Sequence, residues 1–314
     1  MAVDQTTIEA ALNAAHVAHK GDSGGKNADY IPYLASVPST LYGLAVATAD
    51  GTVFKAGDAD YQFAIESISK VFTLALALEL HGPQAVRDKI GAAATGMPFN
   101  SVMAIELHQG KPLSPLVNAG AIAAASMVPG KTADEMWAKI LDCQSRFAGR
   151  KIALSDAVNT SEQTTNFHNR GIAWLLYSYG RCFSDPMHAC DAYTRQCSTL
   201  ITAADLAVMG ATLATGGVNP LTMERVIGAG NVPHILSDMM MEGLYDASGK
   251  WAYTVGLPGK SGVGGGILAV VPGKLAIAGF SPPLDEVGNS VRAQKGVADV
   301  AAALGFNLFV PRSA

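Results

Sequence analysis

The sequence predicts an α+β fold: a mostly antiparallel sheet built from both ends of the chain, with a mostly helical region inserted between them. Two observations carry this reading. Strand-forming runs bounded by turn residues occur early and late in the chain, while from Ser67 to about Met241 the sequence is rich in Ala, Leu and Met and lacks clear strands. Residues 1–66 and 242–314 are therefore assigned to a sheet-and-helix region and residues 67–241 to a helical region. No repeat, low-complexity tract or linker separates them, so residues 1–314 are expected to fold as one unit with a catalytic cleft between the two regions.

The elements follow in order. Ile8, Ala11, Leu12 and Ala15 recur at helical spacing across 7–19, and the glycines at 21, 24 and 25 break the pattern. A hairpin follows, with strands at 41–48 and 52–55 joined through Asp50-Gly51, a favoured tight-turn pair. Helices are expected at 67–80, 118–127, 133–147, 169–180, 187–197 and 202–215. Strand character returns at Tyr253-Thr254-Val255, at 267–271 and at 275–280, the last two joined by Pro272-Gly273. A last helix spans about 290–304 and stops at Gly305.

A chain of 314 residues with 49% hydrophobic and 15% charged residues can bury a substantial core. With 22 basic against 26 acidic residues, a net charge of -4 and no Lys/Arg-rich block, it offers no footprint for nucleic acid, which leaves small molecules as the expected partners. Residues 1–20 include Asp4 and Glu9 and lack the basic leader and apolar stretch of a signal peptide, and no apolar run reaches membrane-spanning length. Cys143, Cys182, Cys190 and Cys197 show no close paired spacing, which argues for free thiols in a reducing compartment and a cytoplasmic location.

The chemistry centres on Ser67 and Lys70, three residues apart at the head of an apolar helical stretch. That spacing places a hydroxyl and an amine on one helical face. Serine is a poor nucleophile at neutral pH and needs an adjacent base, which a lysine can be when burial disfavours its charge. The same spacing at Ser23 and Lys26 shows that the pair alone is common. Ser67 is distinguished by its setting, because Ser-x-x-Lys opening a buried helix is completed downstream by Lys-Thr-Gly on a strand, and Lys260-Ser261-Gly262 supplies that second half. Acyl transfer through a serine ester is the chemistry implied.

Other motifs fail on context. Gly21-Asp22-Ser23-Gly24-Gly25 imitates a nucleophile segment, but a helix precedes it where an elbow requires a strand, so it reads as a surface loop. Gly259-Lys260-Ser261 imitates the end of a phosphate-binding loop, yet Thr254 stands where the first glycine belongs. Seven histidines without close ligand spacing predict no metal, and Met239-Met240-Met241 reads as helix core.

Together with Asn118 in Ser114-Pro115-Leu116-Val117-Asn118-Ala119-Gly120, the Ser67/Lys70 and Lys260 motifs look like the β-lactamase and penicillin-binding fold. The blocks 28–32 (Ala-Asp-Tyr-Ile-Pro), 161–170 (Ser-Glu-Gln-Thr-Thr-Asn-Phe-His-Asn-Arg) and 241–245 (Met-Glu-Gly-Leu-Tyr) closely resemble the serine-dependent glutaminases, bacterial ones among them, which convert L-glutamine to L-glutamate and ammonia. The similarity runs from about Asn27 to the end of the last helix. The resemblance implies Ser67 as nucleophile, Lys70 as its base, and Tyr30, Asn118, Glu162, Asn169, Tyr193, Tyr245 and Val263 as the glutamine-binding set. Val263 would act through its N–H, paired with that of Ser67 as an oxyanion hole, and Tyr245 would relay a proton to the departing ammonia.

The chemistry of the substrate agrees with this set: Glu162 suits an α-ammonium, Asn and Tyr side chains suit an α-carboxylate, and Lys260 near Lys70 would disfavour a second positive charge. Taken singly, Glu162 and Asn118 are also ordinary helix-capping residues, and the three tyrosines ordinary packing aromatics. No cofactor is expected. The family resemblance suggests a homodimer or homotetramer. No Ser-Asp-Asn triplet is present, which lowers the antibiotic-hydrolase reading. A β-lactam-interacting serine hydrolase and a non-catalytic amino-acid sensor on the same fold are the alternatives.

Overall fold

The computed structural model describes residues 4–311. Its strands are β1 (Gly43–Thr48), β2 (Val53–Gly57), β3 (Phe63–Ala64), β4 (Ala153–Leu154), β5 (Thr199–Ile201), β6 (Gly259–Ser261), β7 (Gly266–Val271) and β8 (Leu275–Phe280). The main sheet runs β2-β1-β8-β7-β6 with every neighbouring pair antiparallel, in a register that sets Val46 opposite both Phe54 and Ile277 and Leu268 opposite Ala278. Strands from the two ends of the chain thus lie side by side at the β1–β8 seam.

Both faces of this sheet are covered, which is why β7 and β8 read as unbroken apolar runs. Leu44, Val46, Ile267, Ile277 and Leu275 point toward the helices Gln5–His19 and Val291–Ala303, meeting Ile8, Leu12, Val297 and Val300. Ala45, Leu268, Val270, Ala276 and Ala278 point the other way, into the core that includes the helix Ala203–Ala214. That helix comes close to the sheet because Gly210 has no side chain: a Cβ there would lie 2.5 Å from Leu268 and 2.6 Å from Ala276. The helix ends use local chemistry: Asp4 and Ser290 accept from the first-turn N–H groups of their helices, and Thr202 and Asp205 form a reciprocal capping box.

The 50–51 hairpin turn forms as expected, with Gly51 at φ +89 and Asp50 Oδ1 accepting from Thr52 N at 3.1 Å. Two expectations are corrected. Tyr253-Thr254-Val255 is not a strand; residues Ser248–Thr254 are helical, because Trp251 must turn inward to bury its ring and donate to Leu257 O at 2.9 Å. Tertiary packing overrides the strand propensity of Thr and Val here. Nor is the central region free of strands, since it contains β4 and β5, which join β3 in a second antiparallel sheet whose strands of two or three residues are too short to show a period.

The first central helix extends beyond the expected 67–80. Ser67 sits in a 3-10 turn, Glu66–Ile68, continuous with the helix Ser69–Lys89, which is interrupted at Gly82 (φ +78) before Pro83. The helices Val102–Leu107 and Asp156–Thr165 were not among those expected, and the helix Val232–Glu242 contains Met239-Met240-Met241, read as helix core without bounds. All four cysteines are free, buried thiols. Among the described residues no helix is long and apolar enough to cross a membrane.

Candidate active site

Ser67 stands where the small sheet, the β6–β7 turn and the 3-10 turn meet. Ile65 N–H donates to Thr199 O at 3.0 Å, tying the approach to Ser67 to β5. Gly262 and Gly264 of the β6–β7 turn lie so close to this segment that a Cβ on Gly262 would be 2.9 Å from Ile65 O, and one on Gly264 would collide with Ala64 O. The turn therefore presents the Val263 backbone beside Ser67. As a first-turn residue, Ser67 has an N–H without an intrahelical partner, and the Val263 N–H is given to no other group among the described residues. Two free donors beside a serine hydroxyl suit a developing oxyanion.

Lys70 follows one turn later and is almost fully buried, at 1% exposure. Its Nζ donates to Asn118 Oδ1 at 2.7 Å, and Tyr193 OH donates to the same oxygen at 3.1 Å. Asn118 Nδ2 donates in turn to Asn169 Oδ1 at 2.9 Å. This settles the capping alternative for Asn118: Val117 is the N-cap of the helix Asn118–Ser126, and the Asn118 side chain turns into the site. Glu162 is likewise no cap, since Ser155 caps its helix Asp156–Thr165.

Lys260, on β6, is buried completely; its Nζ donates to Gly243 O at 2.9 Å and Ser261 O at 2.7 Å and lies 4.2 Å from the Tyr245 ring centroid. Gly243 can approach β6 this closely only without a side chain, because a Cβ would strike Gly259 O. Burial lowers the Lys70 amine from 10.5 to about 8, a shift that Cys197, Glu66, Glu242 and Glu162 partly oppose. Burial, and then repulsion from Lys70, holds Lys260 well below the ordinary lysine range. For both amines desolvation by burial is the leading cause, and their mutual repulsion further disfavours a state in which both are protonated.

Tyr245 lies behind Ser67, its ring 4.7 Å from Phe99 and its hydroxyl near Ser67 but without a hydrogen bond of acceptable geometry. Burial holds that hydroxyl well above the ordinary tyrosine range. Tyr245 and Glu66, the residue before Ser67, both adopt positive φ, +55 and +50. Such conformations cost about 1–3 kcal/mol each in non-glycine residues and gather at functional sites.

These side chains enclose a small inner pocket of about 70 Å³, which opens toward a basin of about 540 Å³. Of the sequence-predicted residues, Tyr30, Ser67, Asn118, Glu162, Asn169, Tyr193 and Val263 line the inner pocket, and Lys70, Lys260 and Tyr245 stand behind it. Tyr30 is brought to the rim by its neighbour Tyr33, whose N–H donates to Ser161 Oγ at 3.1 Å on the Glu162 helix. Glu66, Phe99, Thr194 and Cys197 also line the pocket and were not foreseen. Adjacency to Ser67 was the one available signal for Glu66; Phe99 carries none, being placed by its carbonyl's acceptance of the Asn118 N–H at 2.9 Å.

Comparison with known proteins gives a consistent result. Residues 25–309 match the family profile described as Glutaminase. The chain is 69% identical over 312 residues to a glutaminase of Brucella canis, covering 99% of this chain and 98% of that one. It is 65% identical over 307 residues to glutaminase 1 of Shigella flexneri, covering 98% and 99%. Among solved structures, the probable glutaminase ybaS superposes with a TM-score of 0.97 at 64% identity, covering 98% of this chain and 99% of that one. Mglu in its glutamate form gives 0.91 at 35% identity, covering 98% of this chain and 71% of that one.

Proposed function

The chain belongs to the glutaminase family, with its β-lactamase-like fold, and on that premise we propose that it hydrolyses the side-chain amide of L-glutamine through an ester on Ser67. The observation that carries this mechanism is Lys70: a buried amine, one turn from a pocket-lining serine, whose proton affinity burial has brought down to about 8. Ser67 Oγ attacks the amide carbon while its proton passes to Lys70 Nζ. The negative oxygen that forms is held by the N–H groups of Ser67 and Val263. Collapse of this intermediate breaks the C–N bond, and the nitrogen leaves as ammonia with a proton returned from Lys70 through the Tyr245 hydroxyl. Water then adds to the ester carbon as Lys70 takes its proton, and the bond to Ser67 Oγ breaks as Lys70 returns that proton to the serine, releasing glutamate.

Substrate recognition follows from the same pocket. Glu162 receives the α-ammonium, and Asn118, Asn169, Tyr30 and Tyr193 supply neutral polar groups for the α-carboxylate. That a related protein, Mglu, has been solved in a glutamate form agrees with glutamate as the product. We also propose that the protein acts without a cofactor, in the cytoplasm, and as a homodimer or homotetramer. The sheet and helical regions are proposed to fold as one unit, because the Ala203–Ala214 helix of the central region packs on the sheet built by the chain ends.

The test is release of ammonia and glutamate from L-glutamine by purified protein, beside Ser67→Ala and with L-asparagine as competitor. Equal yields of both products, lost in Ser67→Ala, are expected. Saturable glutamine binding without ammonia release would favour a sensor, and acylation by a chromogenic cephalosporin would favour a β-lactam-interacting hydrolase.

A further inference from the structure

The inner pocket holds two carboxyl groups, and the mechanism above uses only one. Glu66 is 3% exposed, lines the pocket beside Ser67 and Glu162, and its Oε1 has no hydrogen-bond partner among the described residues. Neither Glu66 nor Glu162 forms an ion pair with any described residue, and the nearest cationic side chain, Lys70, directs its Nζ to Asn118. Both carboxyls line the same inner pocket of about 70 Å³, near enough for each to act on the other's proton affinity. Two carboxyl groups enclosed in one small pocket repel each other when both are ionised, which favours a single proton shared by the pair.

Resting on the glutaminase reading, we propose that Glu66 and Glu162 form one receptor for the α-ammonium and that glutamine binding expels the proton they share. The step balances: the pair as Glu66-COOH with Glu162-COO⁻ takes up R-NH₃⁺ and becomes two carboxylates around one ammonium, and one proton passes to solvent. An ammonium carries three donors and one positive charge, so it satisfies both carboxylates where the proton satisfied one contact between them. Burial first, and then the charge of Glu162, hold Glu66 well above the ordinary carboxylate range, while Lys70 acts against this. Glu162 is raised by burial, with the contact to Glu66 and the charge of Lys70 opposing the rise. The other titratable groups facing the pair are Tyr30, exposed at the rim, and the buried Tyr193, Cys197 and Tyr245, whose protons burial holds more tightly; Lys260 and Glu242 lie further back around Lys70.

Such a receptor selects for a free α-amino group. An N-acylated glutamine, or a glutamine inside a peptide, brings no cation and cannot displace the proton.

Titration calorimetry of Ser67→Ala with L-glutamine, at one neutral pH in buffers of different ionisation enthalpy, tests this. About one proton released per glutamine bound is expected, with affinity weakening about tenfold for each pH unit below the pair's titration. Glu66→Gln introduced into the same protein, its fold checked by circular dichroism, should bring the release close to zero. Release below about a fifth of a proton, with affinity independent of pH, would overturn the proposal even if Glu66→Gln failed to fold. So would release that survives Glu66→Gln but vanishes in Lys70→Met, since the proton would then be the lysine's. Turnover by the unsubstituted enzyme, measured alongside, separates the two readings. Turnover with no proton release removes only this linkage, whereas absence of turnover removes the glutaminase reading and this inference with it.

Discussion

If Lys70 is the base that activates Ser67, pH titrates the rate through one buried group. Only the neutral amine can accept the serine proton, and burial lowers it from 10.5 to about 8. The neutral fraction is then about 0.1 at pH 7, about a half at pH 8 and about 0.9 at pH 9, so kcat should climb about tenfold between pH 7 and pH 9. A solvated lysine would be neutral in only about 3 molecules in 10,000 at pH 7. Burial thus raises the active fraction about 300-fold, which corresponds to about 3 kcal/mol. The assay is ammonia release at saturating L-glutamine, with KM fitted separately at each pH so that any linkage at Glu66 and Glu162 is confined to binding. A kcat that is flat or falling from pH 6.5 to 9, or one still rising steeply at pH 10, would refute the assignment of Lys70 as a base poised by desolvation.

Three further outcomes follow from the same geometry. Lys70→Met should abolish turnover yet raise stability at neutral pH by about 1–3 kcal/mol, measured by denaturant melts, because an amine whose folded-state proton affinity is depressed penalises folding at pH below about 8, a penalty relieved as pH rises toward 10.5. Gly264→Ala should lower kcat by about 100-fold or more with a smaller change in KM, since the new Cβ strikes Ala64 O and displaces the Val263 N–H, and kinetics equal to those of the unsubstituted enzyme would remove Val263 from the mechanism. Asn118→Ala leaves Lys70 Nζ without its acceptor, at an expected loss of about 1–3 kcal/mol in stability and up to about 100-fold in kcat, whereas unchanged melts would show that the amine finds another partner.

Legibility in the sequence followed the length of the signal. The strands β7 and β8 and the helices flanking the sheet could be read because six or more residues carry their pattern and both faces are buried. The strands β3, β4 and β5 could not, because two or three residues have no period, and they exist through pairing between segments distant in sequence, such as Phe63 with Ile201 and Ala153 with Leu200. Tyr253-Thr254-Val255 misled because local propensity was weighed without knowledge that Trp251 would need the interior. In the site, Ser67, Lys70 and Lys260 were legible as spaced motifs, and Glu162 and Asn169 through the block that carries both. Glu66 was hidden for a physical reason: a buried, unpaired carboxyl is so costly that sequence reading assigns a lone glutamate to the surface.

That cost bears on how the site is supported. Within one pocket the fold buries Glu66, Lys70 and Lys260, leaves Tyr245 Oη and Glu66 Oε1 without partners, and holds Glu66 and Tyr245 at positive φ. Each departure opposes folding by about a kilocalorie per mole or more. Such a cluster can persist only where the surrounding backbone has few alternatives, and here three close contacts remove them: Gly264 against Ala64, Gly243 against Gly259, and Gly210 against Leu268 and Ala276. The last of these belongs to the helix that joins the central region to the sheet. The same apolar packing that gives the fold its stability therefore buries the amines behind the pocket. That burial is also what lowers Lys70, so core packing behind the pocket and the proton affinity of this amine are set by one physical variable.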